Sequence, residues 1–93
     1  MAELTEIAEV VRNALAAHPA CPTILGVEVR DIYDDDEFMT VWVYYKGRYT
    51  DLNIDVPMSA VSLVERPLQL IGEHRYPVFS FIDEKDMPKR AVA

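Results

Sequence analysis

The sequence predicts an α+β fold. It reads as a two-layer sandwich in the order α-β-β-β-α-β, the second helix kinked or split. The sheet is expected to be mainly antiparallel, with the helices on one face. Three observations carry this. Leu4, Ile7, Ala8, Val11, Ala14 and Leu15 recur at helical spacing. Phe38 to Tyr45 is an unbroken β-branched and aromatic run. The segments around residues 25–29 and 50–56 alternate apolar and polar residues with period two.

The first helix is expected over about residues 3–17. Glu3, Glu6, Glu9, Arg12 and Asn13 fall largely on its polar side, and Pro19 blocks its continuation. Pro22 pushes Cys21 out of the helical region. Leu25, Val27 and Val29 then face one way and Gly26, Glu28 and Arg30 the other. Ile32 breaks that alternation, which predicts a bulge or sharp twist near Arg30-Asp31. Asp34-Asp35-Asp36-Glu37 is an acidic loop. Phe38–Tyr45 is apolar on both faces, the mark of a central strand.

Lys46-Gly47-Arg48 has the length and the glycine of a hairpin turn. A third strand is expected after it, with Thr50, Leu52, Ile54 and Val56 on one face and Tyr49, Asp51, Asn53 and Asp55 on the other. Pro57 suits a first helical position, Pro67 predicts a stop or kink, and Gly72 fits the residue just past a helix end. Val78 to Ile82 closes the order as a short strand. Residues 1–82 thus form one domain, and residues 83–93 read as a charged tail expected to be mobile.

Composition narrows the function classes. The chain has 93 residues, enough for one domain, and 51% of them are apolar, so a packed core is affordable against ordering entropy. Nine basic against 16 acidic residues leave a net charge of −7, which disfavours nucleic acid and anionic membranes as partners. Cys21 is the sole cysteine, so no intrachain disulfide can form. The acidic start lacks a secretory pattern, and no apolar stretch is long enough to span a bilayer. These features point to a cytoplasmic protein.

Candidate chemistry is sparse. Four contiguous acids at residues 34–37 lack the alternating ligand spacing of a calcium loop and read as a solvated turn. His18, Cys21 and His74 are too few and too scattered for a closed zinc site. Cys21 follows a helix C-terminus, whose dipole raises a thiol pKa and disfavours a nucleophile. Gly26, Gly47 and Gly72 are far apart, so no phosphate-binding glycine loop exists. No catalytic residue, cofactor or metal is assigned. A pocket between sheet and helices, using His74, Asp51, Asp55 or Cys21, is the alternative enzymatic or small-molecule reading.

The most informative stretch is Trp42 to Tyr49. Residues 23–45 carry −5, residues 46–50 carry +2 and residues 51–65 carry −3, so a basic, aromatic turn sits between acidic segments. Two helices cover one sheet face well, which leaves Phe38, Trp42, Tyr44 and Tyr49 on the other. Large open apolar patches are rare on monomers. The expected function is therefore non-enzymatic: an interaction or oligomerisation module, a homodimer, with an unidentified protein partner, for which a basic surface would suit the acidic balance. Its binding surface is expected at Phe38, Trp42, Tyr44, Lys46, Arg48 and Tyr49. Single-stranded nucleic acid on the 44–49 turn is the least favoured alternative.

Overall fold

The first helix, α1, spans Leu4–Ala16 and buries Ile7, Val11 and Leu15 completely. These are the positions the helical spacing places on one face, and burying each stabilises the fold by roughly 1.5–3 kcal/mol. The structure is a computed structural model and describes residues 3–30 and 37–87. After α1 the chain turns over His18, whose Nδ1 accepts the Ala20 N–H at 3.0 Å. Strands β1 (Ile24–Arg30) and β2 (Phe38–Tyr45) then pair antiparallel, with Val27 opposite Val43 and Val29 opposite Val41. The register shifts between Ile24 and Gly26, so the extra residue is Leu25. A bulge thus lies at the start of β1, and the one expected near Arg30-Asp31 falls where the described residues stop. Asp31 and the acids Asp34–Asp36 lie outside the described residues.

The predicted third strand does not form. Residues Tyr49–Asp51 make a single 3-10 turn, and helix α2 already begins at Asp55 and runs to Leu70. Lys46-Gly47-Arg48 is therefore not a hairpin turn. Side-chain acceptors divert the backbone here. Glu84 Oε1 accepts the Gly47 N–H at 3.3 Å, and Asp83 Oδ2 accepts the Tyr49 N–H at 3.1 Å. Asn53 Oδ1 then takes the Asp55 N–H at 2.9 Å and its carbonyl takes the Val56 N–H, which starts α2. Pro57 falls in the first helical turn, where a missing N–H costs nothing.

Helix α2 continues through Pro67 as one element. It ends in a Schellman arrangement: the Glu73 N–H reaches the Leu68 carbonyl and the Gly72 N–H the Gln69 carbonyl, both at 3.0 Å. Gly72 supplies the required left-handed backbone, with φ +82°.

Strand β3 (Tyr76–Asp83) lies beside β2 and parallel to it, giving a sheet of order β1-β2-β3. The described fold is thus an α+β arrangement of two helices and a mixed three-stranded sheet. The mainly antiparallel four-strand sheet is corrected by this pairing. Parallel neighbours need a crossover of a dozen or more residues, and α2 supplies it.

Both helices pack on the face that carries Met39, Val41 and Val43, where Ile7, Val11, Leu15, Val29, Ala60, Val64 and Leu68 complete the core. Phe79 and Phe81 flank that core, half-buried and stacked on one another. Tyr45 also lies fully within this layer, and its hydroxyl has no hydrogen-bond partner among the described residues. Burial first, then the nearby charges of Asp83 and Asp86, push its pKa up. Of the expected tail, residues 83–87 are described: Asp83 is buried, and its Oδ1 accepts the Asp86 N–H to cap a 3-10 turn over Glu84–Asp86, while residues 88–93 lie outside the described residues.

Candidate binding surface

Period-two alternation puts Glu28 and Arg30 of β1, Phe38, Thr40, Trp42 and Tyr44 of β2, and Tyr76, Val78, Ser80 and Ile82 of β3 on the face away from the helices. This face has two unlike halves. Toward β1 it is a closed polar network. Tyr44 Oη donates to Glu28 Oε1 at 2.8 Å, and Arg30 Nε donates to Glu28 Oε2 at 2.8 Å. The Arg30 guanidinium then lies 4.2 Å from the Trp42 ring centre, a cation–π contact.

Tyr44 is the surprise in this half. It was expected to be open, and it is 1% exposed. Gly26, directly across the ladder, has no side chain and leaves room for the phenol. Burial, the hydrogen bond to Glu28 and the Glu28 charge push its pKa up to about 12, against a smaller opposing pull from Arg30. Tyr44 is therefore a donor at neutral pH and is packed into the sheet, not open on its face.

Toward β3 the face is apolar and open. Phe38 is 47% exposed, Tyr76 53% and Val78 47%. The Phe38 and Tyr76 rings meet edge to face, with centres 6.2 Å apart. Scans of family models, of curated proteins and of solved structures give no match to this chain.

The sequence-predicted site thus divides. Phe38 and Trp42 share the helix-free face with the buried Tyr44. Lys46, Arg48 and Tyr49 are exposed, but they stand on the loop after β2 and in the 3-10 turn, not on the sheet. Tyr76, Val78 and Arg30 belong to the surface and were missed. The alternation Tyr76-Val78-Ser80-Ile82 was the available signal, but starting the strand at Val78 left Tyr76 out.

Elsewhere, the candidates do not converge. His74 lines a recess of about 150 Å³ between α2 and the start of β3, with Glu65, Gln69, Glu73 and Arg75. Asp51, Asp55 and Cys21 do not line it. Its size falls below the roughly 300–1,000 Å³ of typical ligand pockets. Glu73 and Arg75 form a buried ion pair there, Arg75 Nε to Glu73 Oε1 at 2.8 Å. Burial alone would raise the Glu73 carboxyl, but the hydrogen bonds and charge of Arg75 outweigh it and hold the pKa below the usual range. Cys21 lies beside a separate open hollow near Arg12 and Asn13. Its thiol donates to the Pro22 carbonyl, and burial pushes its pKa up, which makes it a poor nucleophile. Among the described residues no group of three or more His, Cys, Asp or Glu is placed to hold a metal.

Proposed function

We propose that this chain is a non-enzymatic interaction module that acts as a homodimer and contacts other proteins through the uncovered surface of its sheet. The observation that supports it is the open apolar strip of Phe38, Tyr76 and Val78 on the neighbouring strands β2 and β3. Interfaces favour rigid aromatic anchors because they bury much area at little entropic cost. The net charge of −7 favours a basic protein partner, whose approach it would accelerate. The nucleic-acid reading of residues 44–49 has less support, since the carboxylates of Asp83 and Glu84 hold that turn.

The test is sedimentation equilibrium from micromolar to near-millimolar protein. Self-association above the 10.6 kDa monomer is expected. The double variant Tyr76→Glu, Val78→Glu adds charge to the exposed strip of an already acidic chain and is expected to return it to monomer. A wild-type monomer at every concentration overturns the proposal.

A further inference from the structure

The two edges of the sheet are built differently. At the β1 edge, the outward carbonyl of Ile24 accepts from Arg12 Nη2 at 3.2 Å, α1 lies alongside, the strand is bulged at Leu25, and Glu28 and Arg30 charge it. These are the devices by which proteins keep an edge from pairing. The β3 edge has almost none of them. Tyr76 to Ile82 is seven residues without a charge.

The ladder shows which groups that edge presents. The Tyr76 N–H bonds the Glu37 carbonyl at 2.7 Å, so Tyr76, Val78, Ser80 and Ile82 turn their backbone groups toward β2. Pro77, Phe79, Phe81 and Asp83 then turn theirs outward. Pro77 stands where its missing N–H interrupts no bond to β2, as an edge proline must. No hydrogen bond from another described residue reaches the outward groups of Phe79 or Phe81. The strand is also half-covered on both flanks, by Val78 on the open face and by Phe79 and Phe81 on the helix face.

We infer that two copies of the chain join antiparallel along β3, edge to edge, about a two-fold axis at Ser80, forming one six-stranded sheet. This rests on the homodimer reading above and gives it an edge-to-edge geometry, which leaves the Phe38, Tyr76 and Val78 strip open to the protein partner. A second copy fits because the strand complements itself in this register. The Phe79 N–H meets the partner's Phe81 carbonyl, and the Phe81 N–H meets the partner's Phe79 carbonyl. Val78 falls opposite the partner's Ile82, and Ser80 opposite itself. An axis at Phe81 would instead set Asp83 against the partner's Phe79, and an axis at Phe79 would set Phe81 against a proline without a donor. The antiparallel sense also keeps the two acidic 83–86 ends apart by the length of the strand, roughly 23 Å or more than two Debye lengths at physiological salt. A parallel pairing would bring them together.

Directed cross-linking tests it. In this register Ser80 and its mate form a non-hydrogen-bonded pair with Cα atoms about 4.5 Å apart, inside the range a disulfide spans. Ser80→Cys, in a Cys21→Ser background, is expected to oxidise to a covalent dimer of twice 10.6 kDa. Val78→Cys in the same background is comparably exposed but sits about 13 Å from its mate, and should cross-link on the order of tenfold more slowly. Both positions are on the surface, and circular dichroism checks that each variant folds. Association without preferential Ser80→Cys cross-linking overturns this geometry and leaves the homodimer reading standing. A wild-type monomer throughout overturns both.

Discussion

Glu73 and Arg75 are the most consequential pair of residues outside the sheet face. Two charges taken out of water are tolerable when they are paired, as these are, and removing one partner of such a pair costs about 3–5 kcal/mol. Arg75→Met should therefore destabilise strongly while filling the same space. The pH dependence follows from the depressed Glu73 pKa. The stability this carboxylate contributes is fully present above the ordinary glutamate range, about 4.3, and is lost as pH falls through the lower folded value. In Arg75→Met that carboxyl is left with burial, which raises its pKa, so the acid-unfolding midpoint should move to higher pH. Denaturant melts from pH 3 to 7 measure this; an unchanged acid limb would show that the pair contributes nothing. Neither residue was singled out by the sequence, because Glu-His-Arg after a helix looks like any solvated turn. Burial of both side chains is a tertiary fact.

At the scale of elements, the legible features were those with a local physical cause. The spacing of Leu4 to Leu15 specifies a helix within its own thirteen residues, and Gly72 announces a helix end because few other residues accept φ +82°. Gly72→Ala should cost about 1–2 kcal/mol, the penalty for a side chain in left-handed backbone. Space is not the issue, since an added Cβ there would meet nothing within 4 Å. Gly72→Asn should recover part of the loss, and thermal melts of the two variants compare them. The segment 50–56 misled for an equally physical reason. Its alternation is real, but Ile54 ends up exposed and Val56 buried inside α2. Four hydrogen bonds to Gly47, Tyr49, Asp55 and Val56 bend this stretch, two of them from acids more than 30 residues away. A period-two pattern describes a strand only if a neighbouring strand is there to pair, and β3 already occupies that side of β2.

At the scale of the whole molecule, the three described strands have two helices on one face and none among the described residues on the other. If the dimer unfolds as a unit, its midpoint must depend on protein concentration by mass action. A tenfold rise in concentration is worth about 1.4 kcal/mol per dimer and should raise Tm by about 3 °C. Calorimetry over a hundredfold range reads this directly, and a concentration-independent Tm would mean that folding and association are separate events. The candidate surface was half legible at this scale. A central strand apolar on both sides required a face without helices, and Phe38 and Trp42 are there. Tyr76 and Val78 were not foreseen, because they reach the face only through the parallel placement of β3.

By itself the sequence determined α1, the central strand β2, the helix end at Gly72, the absence of an intrachain disulfide and the acidic balance. Each is written in a short window of side chains or in a count. The tertiary structure decided that β3 runs parallel beside β2, that residues 49–56 are turn and helix, that Tyr44 is buried, and that the β1 edge is charged and bulged while the β3 edge is uncharged from Tyr76 to Ile82. The strand pairing and the turn depend on hydrogen bonds of backbone groups to segments some 30–40 residues away, in the β2–β3 ladder and to the Asp83 and Glu84 carboxylates. The peptide group is the same in every residue, so such pairings leave little trace in the order of side chains.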